Sequence, residues 1–245
     1  RFATAGAKLG LLDLDADAAA GFAHDLKSGG ADTVAAGCDV SDESQCRRAI
    51  DQVLQKFGGI DVLVNNAGIT QRSAFVDTTA DVFRRVMDVN FFGSLYCTRF
   101  ALPSLIENEG QIAVIESVGG IAPVLGRSGY CASKHALHGL FTTMRAELRA
   151  KKVGVTIVCP GFVKTNLQTR ALGGDGQITD HPQSRVGQQI TAEKVADAVL
   201  KAVAKRKPLL LLTPVAHLTY WMTRLMPTMY ERLMTRQLSE ELERS

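Results

Sequence analysis

Ile60-Asp-Val-Leu-Val-Asn-Asn-Ala-Gly68 is a short apolar run that ends in polar and small residues. Ile60 to Asn65 has strand length, and the Asn65-Asn66-Ala67-Gly68 exit lets backbone approach a ligand closely. Five more runs of the same kind occur: Lys8 to Asp13, Thr33 to Val40, Gln111 to Glu116, Val153 to Pro160 and Leu209 to Thr213. Helical stretches separate them. These are Asp15 to Ser28, Ser41 to Phe57 (Ser41 as N-cap, Ser44 behind it), Thr79 to Glu107, Ser128 to Lys152 and Ala192 to Lys205. Six strands alternating with helices predict an α/β, doubly wound, mostly parallel Rossmann-like sheet, with right-handed crossovers and helices on both faces. No internal repeat, low-complexity segment or linker divides the chain. The expectation is one dinucleotide-binding and catalytic domain over residues 1–214, with a C-terminal amphipathic helical extension over 215–245.

Composition sets bounds on function. A chain of 245 residues with 46% hydrophobic residues can bury a large core. The net charge of +3 makes no electrostatic case for nucleic acid or an acidic partner. The longest apolar run, Pro208 to Leu212, is far too short to span a bilayer. Cys38, Cys46, Cys97, Cys131 and Cys159 are odd in number and lack Cys-x-x-Cys spacing. They read as reduced, buried thiols in a reducing compartment, with no metal site. No secretory signal precedes the domain, so a cytoplasmic location is expected.

Gly129-Tyr-Cys-Ala-Ser-Lys134 carries the chemistry. On a helix, Tyr130 and Lys134 project from one face, one turn apart. A free tyrosine ionises near pH ~10 and is a poor base at neutrality. A neighbouring cation stabilises the phenolate, which makes proton exchange with an alcohol feasible. Ser117 upstream is suited to hold the reacting oxygen. The same spacing also fits a half-buried tyrosine beside a snorkelling lysine with no chemistry.

In doubly wound sheets, ligands bind beyond the carboxyl ends of the strands. Asp13, Asp39 and Val40, and Asn65 to Gly68 stand at three successive ends. A carboxylate at Asp13 accepts both hydroxyls of an adenosine ribose and repels a 2′-phosphate, which favours NAD over NADP. It could instead cap the following turn.

Together these residues resemble the short-chain dehydrogenase/reductase family over nearly the whole chain. The signature pieces stand in that family's order: Asn65-Asn-Ala-Gly68, Asn90 in Met-Asp-Val-Asn, Ser117, Tyr130-Cys-Ala-Ser-Lys134 and Pro160-Gly-Phe-Val-Lys-Thr165. The resemblance implies hydride transfer between NAD(H) and a secondary alcohol or ketone. Tyr130 would be the general acid/base, and Lys134 would depress the phenol's pKa and bind the nicotinamide ribose. Ser117 would hold the substrate oxygen, and Asn90, on the long Thr79–Glu107 helix, would support a water leading from Lys134 to solvent. Asp13 would read the ribose, with Asp39 and Val40 beside adenine. Asn65, Ala67 and Gly68 would line the cofactor, and Pro160, Gly161, Val163 and Thr165 would fix its nicotinamide end. A homodimer or homotetramer is expected.

Two departures stand out. The family's Thr-Gly-x-x-x-Gly-x-Gly phosphate loop does not occur, and Arg1 to Gly6 reads as the end of the helix that should follow it. The expectation is that residues precede Arg1, because without that strand and turn the sheet lacks its centre and its pyrophosphate site. Were the chain complete as it stands, the expectation would be that it neither folds well nor binds a dinucleotide. The second departure is Glu116 beside Ser117, where the family usually has a small polar residue. It reads as a salt-bridged structural carboxylate or as a group that tunes the site's protonation.

The resemblance makes Lys164 to Gln189 a mobile lid over the substrate, and Gly173-Gly174-Asp175-Gly176 suits ordering on binding. Leu167, Leu172, Ile178, Val124 and Leu125 suggest an apolar component; Asp175, Asp180, His181 and Arg185 oppose it. The expected substrate is a partly apolar alcohol or ketone. The rival readings are an NADP-dependent 3-oxoacyl thioester reductase and a non-catalytic dinucleotide-binding regulator. From Val215 to Leu238 an apolar stripe recurs at helical spacing, and Pro227 should break it into two helices. Packing on its own domain or another subunit ranks first, covering the substrate mouth second and peripheral membrane contact third.

Overall fold

The computed structural model describes residues 1–180, 187–239 and 242. All six expected strands form: β1 (Leu9–Asp13), β2 (Thr33–Gly37), β3 (Val62–Asn65), β4 (Gln111–Ile115), β5 (Gly154–Cys159) and, after two short strands, β8 (Leu209–Leu211). The short pair is β6 (Val163–Lys164) and β7 (Ile190–Thr191). Every strand pairing is parallel. The helices are α1 (Ala16–Ser28), α2 (Glu43–Phe57), α3 (Ala80–Met87), α4 (Gly93–Glu107), α5 (Ser128–Glu147), α6 (Ala192–Ala204), α7 (Pro214–Leu225) and α8 (Pro227–Leu238). The architecture is α/β with a mostly parallel sheet.

That sheet is not continuous. β2 and β1 form one pair, and β3-β4-β5-β8 form a four-stranded sheet. β1 and β3 share no ladder, and a cleft of about 2430 Å³ is lined by Leu9 to Leu12 on one side and Val62 to Asn65 on the other. Arg1 to Ala7 has the expected helix-end geometry. Gly6 N–H donates to Ala3 O at 2.9 Å, Ala7 N–H donates to Phe2 O at 3.1 Å, and Gly6 adopts φ +84°. This is a left-handed helix stop that a side chain would strain.

Side-chain alternation in the central strands builds two cores. Ile112 and Val114 of β4 and Val155 and Ile157 of β5 meet Ile50 and Val53 of α2, Leu105 of α4, and Leu137 and Phe141 of α5. Ala113 and Val158 point the other way, onto Val199 and Val203 of α6. Period-two strands between helices on opposite faces require this arrangement.

Three boundaries depart from the sequence reading. Asp42, not Ser41, caps α2, because its carboxylate reaches Ser44 N at 2.8 Å and Gln45 N at 3.1 Å. Ser41 is instead turned onto Asp39 Oδ1 at 2.7 Å. The expected Thr79–Glu107 helix is broken by a π-turn over Asp88–Phe92, which widens the helix at Asn90. The 128–152 helix ends at Glu147 and finishes in a 3₁₀ turn, Arg149–Lys151. Pro227 does divide the tail, with Met226 between α7 and α8. Among the described residues no helix is long and apolar enough to cross a membrane.

Candidate active site

Strand β4 ends at Ile115, and the chain continues through Glu116 and Ser117 into a 3₁₀ turn, Val118–Gly120. Ser117 is extended, and its Oγ accepts from Gly119 N at 3.1 Å, which holds the hydroxyl at the strand's end. Helix α5 runs past this turn. Tyr130 and Lys134 face the cleft from it, 8% and 4% exposed, with Lys134 Nζ 5.7 Å from the phenol ring centroid. Lys134 Nζ donates to Ile115 O at 2.9 Å, so the ammonium is tied to the strand that carries Ser117.

Burial pushes the Tyr130 phenol up to about 12, while a hydrogen bond with Ser117 and the nearby Arg127 charge pull it the other way. Desolvation outweighs these opposing pulls. Burial also brings Lys134 down to about 8, against the opposing pull of Glu116.

Asn90 is fully buried in the π-turn. Its Oδ1 accepts from Ile69 N at 2.8 Å, and its Nδ2 donates to Ile69 O at 3.0 Å and Ser133 Oγ at 2.8 Å. Ser133 Oγ donates in turn to Tyr130 O at 2.7 Å. Asn90 thus clamps the loop after β3 and helix α5 together. Gly68 lies in the same nook, where an added Cβ would sit 3.1 Å from Asn90 Oδ1 and 3.6 Å from Lys134 Nζ.

The remaining predicted residues also line the cleft: Asp13, Asp39, Val40, Asn65, Ala67, Gly68, Pro160, Gly161, Val163 and Thr165. Asp13 is exposed at the end of β1, its Oδ1 accepting from Asp15 N at 3.0 Å. The capping and ligand readings therefore coexist, since the second oxygen stays free of that bond. Asp39 spends Oδ1 on Ser41. Asn65 turns Nδ2 onto Thr98 Oγ1 at 2.9 Å, so its side chain braces α4.

Sequence reasoning missed two supports of α5. Gln71, wholly buried, accepts from Tyr130 N at 3.2 Å with Oε1 and occupies one of the orphan donors of the helix start. No local pattern announces it, because 59 positions separate the partners. Ser133 lay inside the quoted motif but had no partner until Asn90 came beside it.

The proposed substrate segment is partly corrected. Leu172 does not face the cleft; it is buried with Val82 and Val86, and Arg72 N donates to its carbonyl at 2.7 Å. Leu167 and Val124 do line the cleft, and Ile178 is exposed. His181 and Arg185 lie outside the described residues. Helices α7 and α8 pack on their own fold: Thr223 Oγ1 donates to Ile121 O at 3.2 Å, and Tyr230 OH to Pro123 O at 3.3 Å. Leu218, Met222, Leu233 and Met234 thereby reach the cleft that holds Tyr130.

A family model described as short chain dehydrogenase matches residues 1–173, which carry every residue of this constellation. The chain belongs to the short-chain dehydrogenase family. This short-chain dehydrogenase is 39% identical over 205 residues to a Xenopus tropicalis protein named Dehydrogenase/reductase SDR family member 7B, covering 83% of this chain and 66% of the relative. The chain spans 62–66% of the length of that relative and its Xenopus laevis, mouse and rat counterparts. Among solved structures, a Burkholderia phymatum short-chain dehydrogenase/reductase in complex with NAD aligns with a TM-score of 0.82 and 26% identity, covering 93% of this chain and 87% of that one. A 7α-hydroxysteroid dehydrogenase complexed with NADH and 7-oxo glycochenodeoxycholic acid aligns at 0.73 and 27% identity, covering 85% and 84%.

The residues present fit the two ends of a nicotinamide dinucleotide. Asp13 offers an exposed carboxylate at one strand end. Gly68 and Gly161 keep backbone accessible beside Lys134 and after β5, where a side chain would crowd Asn90 or Thr213.

Proposed function

We propose that this short-chain dehydrogenase interconverts a secondary alcohol and a ketone of substantial apolar character, with NAD(H) as cofactor. The observation that carries the reading is the meeting of Ser117, Tyr130 and Lys134 in one cleft, at the carboxyl ends of the parallel strands. The cofactor, when bound, supplies or accepts the hydride. Tyr130 exchanges the proton with the substrate oxygen. A phenol held near 12 stays protonated at neutral pH, which suits its role as the acid in ketone reduction. Ser117 donates to the same oxygen and stabilises the charge that develops there. Lys134 supplies positive charge and binds the nicotinamide ribose, while Asn90 orients the helix and supports a water leading from Lys134 to solvent.

Asp13 supports NAD, because a carboxylate at that strand end accepts ribose hydroxyls and repels a 2′-phosphate. Val124, Leu218, Met222, Leu233 and Met234 support an apolar substrate, since they line the cleft that also holds Tyr130. The test is an assay of purified full-length protein with NADH and NADPH across small and bulky ketones. Turnover of bulky apolar ketones with NADH is expected. Cofactor binding without turnover on any of them would favour the regulator, and preference for NADPH with 3-oxoacyl thioesters would favour the reductase.

A further inference from the structure

Glu116 stands next to Ser117, yet its side chain is wholly enclosed. Burying a carboxylate is costly unless its oxygens are bonded and a cation is near. Both conditions are met. Oε2 accepts from Cys159 Sγ of β5 at 2.7 Å, and Oε1 lies 3.0 Å from His138 Nδ1, one turn beyond Lys134 on α5. Burial and the adjacent carboxylate push the Cys159 thiol far up, so it stays a donor. Gly120 completes the nest, because an added Cβ there would come within 2.5 Å of the Glu116 side chain. The nearby cation is Lys134, whose Nζ is bonded to Ile115 O, the residue before Glu116.

We propose that Glu116, gripped by His138 and Cys159, is a positioning residue whose buried negative charge keeps Lys134 in its ammonium form. The inference rests on the catalytic reading of Lys134 above and deepens it. Its logic is electrostatic balance. Burial alone drives Lys134 toward neutrality, and Glu116 is the first force that opposes it. The other titratable or charged groups around the cluster are Tyr130 and Cys131 on α5, Arg127 just before it, Cys159 on β5 and Arg224 on α7. The two arginines are cations and the phenol and thiols are pushed up, so Glu116 is the acid of the set. The Cys159 thiol and His138 Nδ1, in the tautomer that carries its proton there, can both donate to the Glu116 oxygens.

The experiment follows Lys134 directly in the full-length protein. Acetic anhydride labelling over the neutral to alkaline range, read by peptide mass spectrometry, gives the midpoint at which the amine becomes reactive. Glu116→Gln should lower that midpoint by about one pH unit. His138→Phe, which removes the donor to Oε1, should lower it too, whereas His138→Gln should preserve it by retaining an N–H. The alkaline limb of turnover should move with the labelling midpoint. A purely structural role would reduce melting temperature and yield without moving either. An unchanged or raised midpoint in Glu116→Gln overturns the proposal; should that variant fail to fold, equal midpoints in His138→Phe and the parent overturn it. The labelling needs neither substrate nor cofactor. Absence of turnover in the parent would therefore sink the functional reading while leaving this test legible.

Discussion

Asn90 and Ser133 are joined by a 2.8 Å hydrogen bond between a π-turn and helix α5, although 43 positions separate them in the chain. Ser133 passes the constraint on to the Tyr130 carbonyl, and Asn90 passes it back to Ile69 on both its backbone groups. The placement of Tyr130 thus depends on a side chain that reaches it only through Ser133. Asn90→Ala would leave Ile69 N–H, its carbonyl and the Ser133 hydroxyl short of partners. The expected loss is about 2 kcal/mol or more in urea unfolding, with turnover falling further than stability explains. A variant of parental stability would contradict the clamp.

Tyr130→Phe keeps the ring in its buried slot and removes only the proton donor. Turnover should fall by about 100-fold or more, while NADH affinity measured by fluorescence stays near the parent value. Retained turnover would remove Tyr130 from the mechanism.

Lys134 is brought down to about 8 by burial, so its charge is sensitive to mildly alkaline pH. The sign follows from a base whose proton is weakly held. The ammonium is complete well below pH 8 and is lost as pH rises through that value. Turnover and cofactor affinity should therefore decline above about pH 8. A profile flat to the range of an ordinary lysine would refute the lowered pKa.

Asp13→Ser removes the charge opposing a 2′-phosphate and leaves the end of β1 otherwise intact. The ratio of kcat/KM for NADH over NADPH should drop by roughly tenfold, equivalent to about 1.4 kcal/mol. Equal use of both cofactors by the parent protein would show that Asp13 does not read the ribose.

Leu233 lines the cleft yet is 42% exposed, so a charge there should be tolerated by the fold. Leu233→Asp is expected to raise KM for a bulky apolar ketone several-fold, by about 1 kcal/mol, and to leave a small ketone almost unaffected. Equal effects on both substrates would place Leu233 outside the substrate's path.

The strand runs, the break at Pro227 and the Ser117–Tyr130–Lys134 set were legible because each depends on neighbours in sequence. Apolar period, proline geometry and one-turn helical spacing are local facts. The N-cap of α2 shows where such locality fails. Ser41 and Asp42 are both good caps, and the choice went to Asp42 only because Asp39 engaged Ser41. Gln71 under the start of α5 and the π-turn at Asn90 had no local signal, since each is defined by a partner more than forty positions away.

The amino-acid order by itself determined the alternation of strands and helices, the one-turn spacing of Tyr130 and Lys134, and the carboxylate at Asp13. Tertiary structure decided their chemistry. Burial, a property of packing and not of sequence neighbours, raises Tyr130 and lowers Lys134. It also decided what Glu116 is. In sequence it is an odd residue beside a serine, and in space it is an enclosed carboxyl group held by His138 and Cys159, because a carboxyl group is buried at tolerable cost only where the fold brings hydrogen-bond partners to meet it.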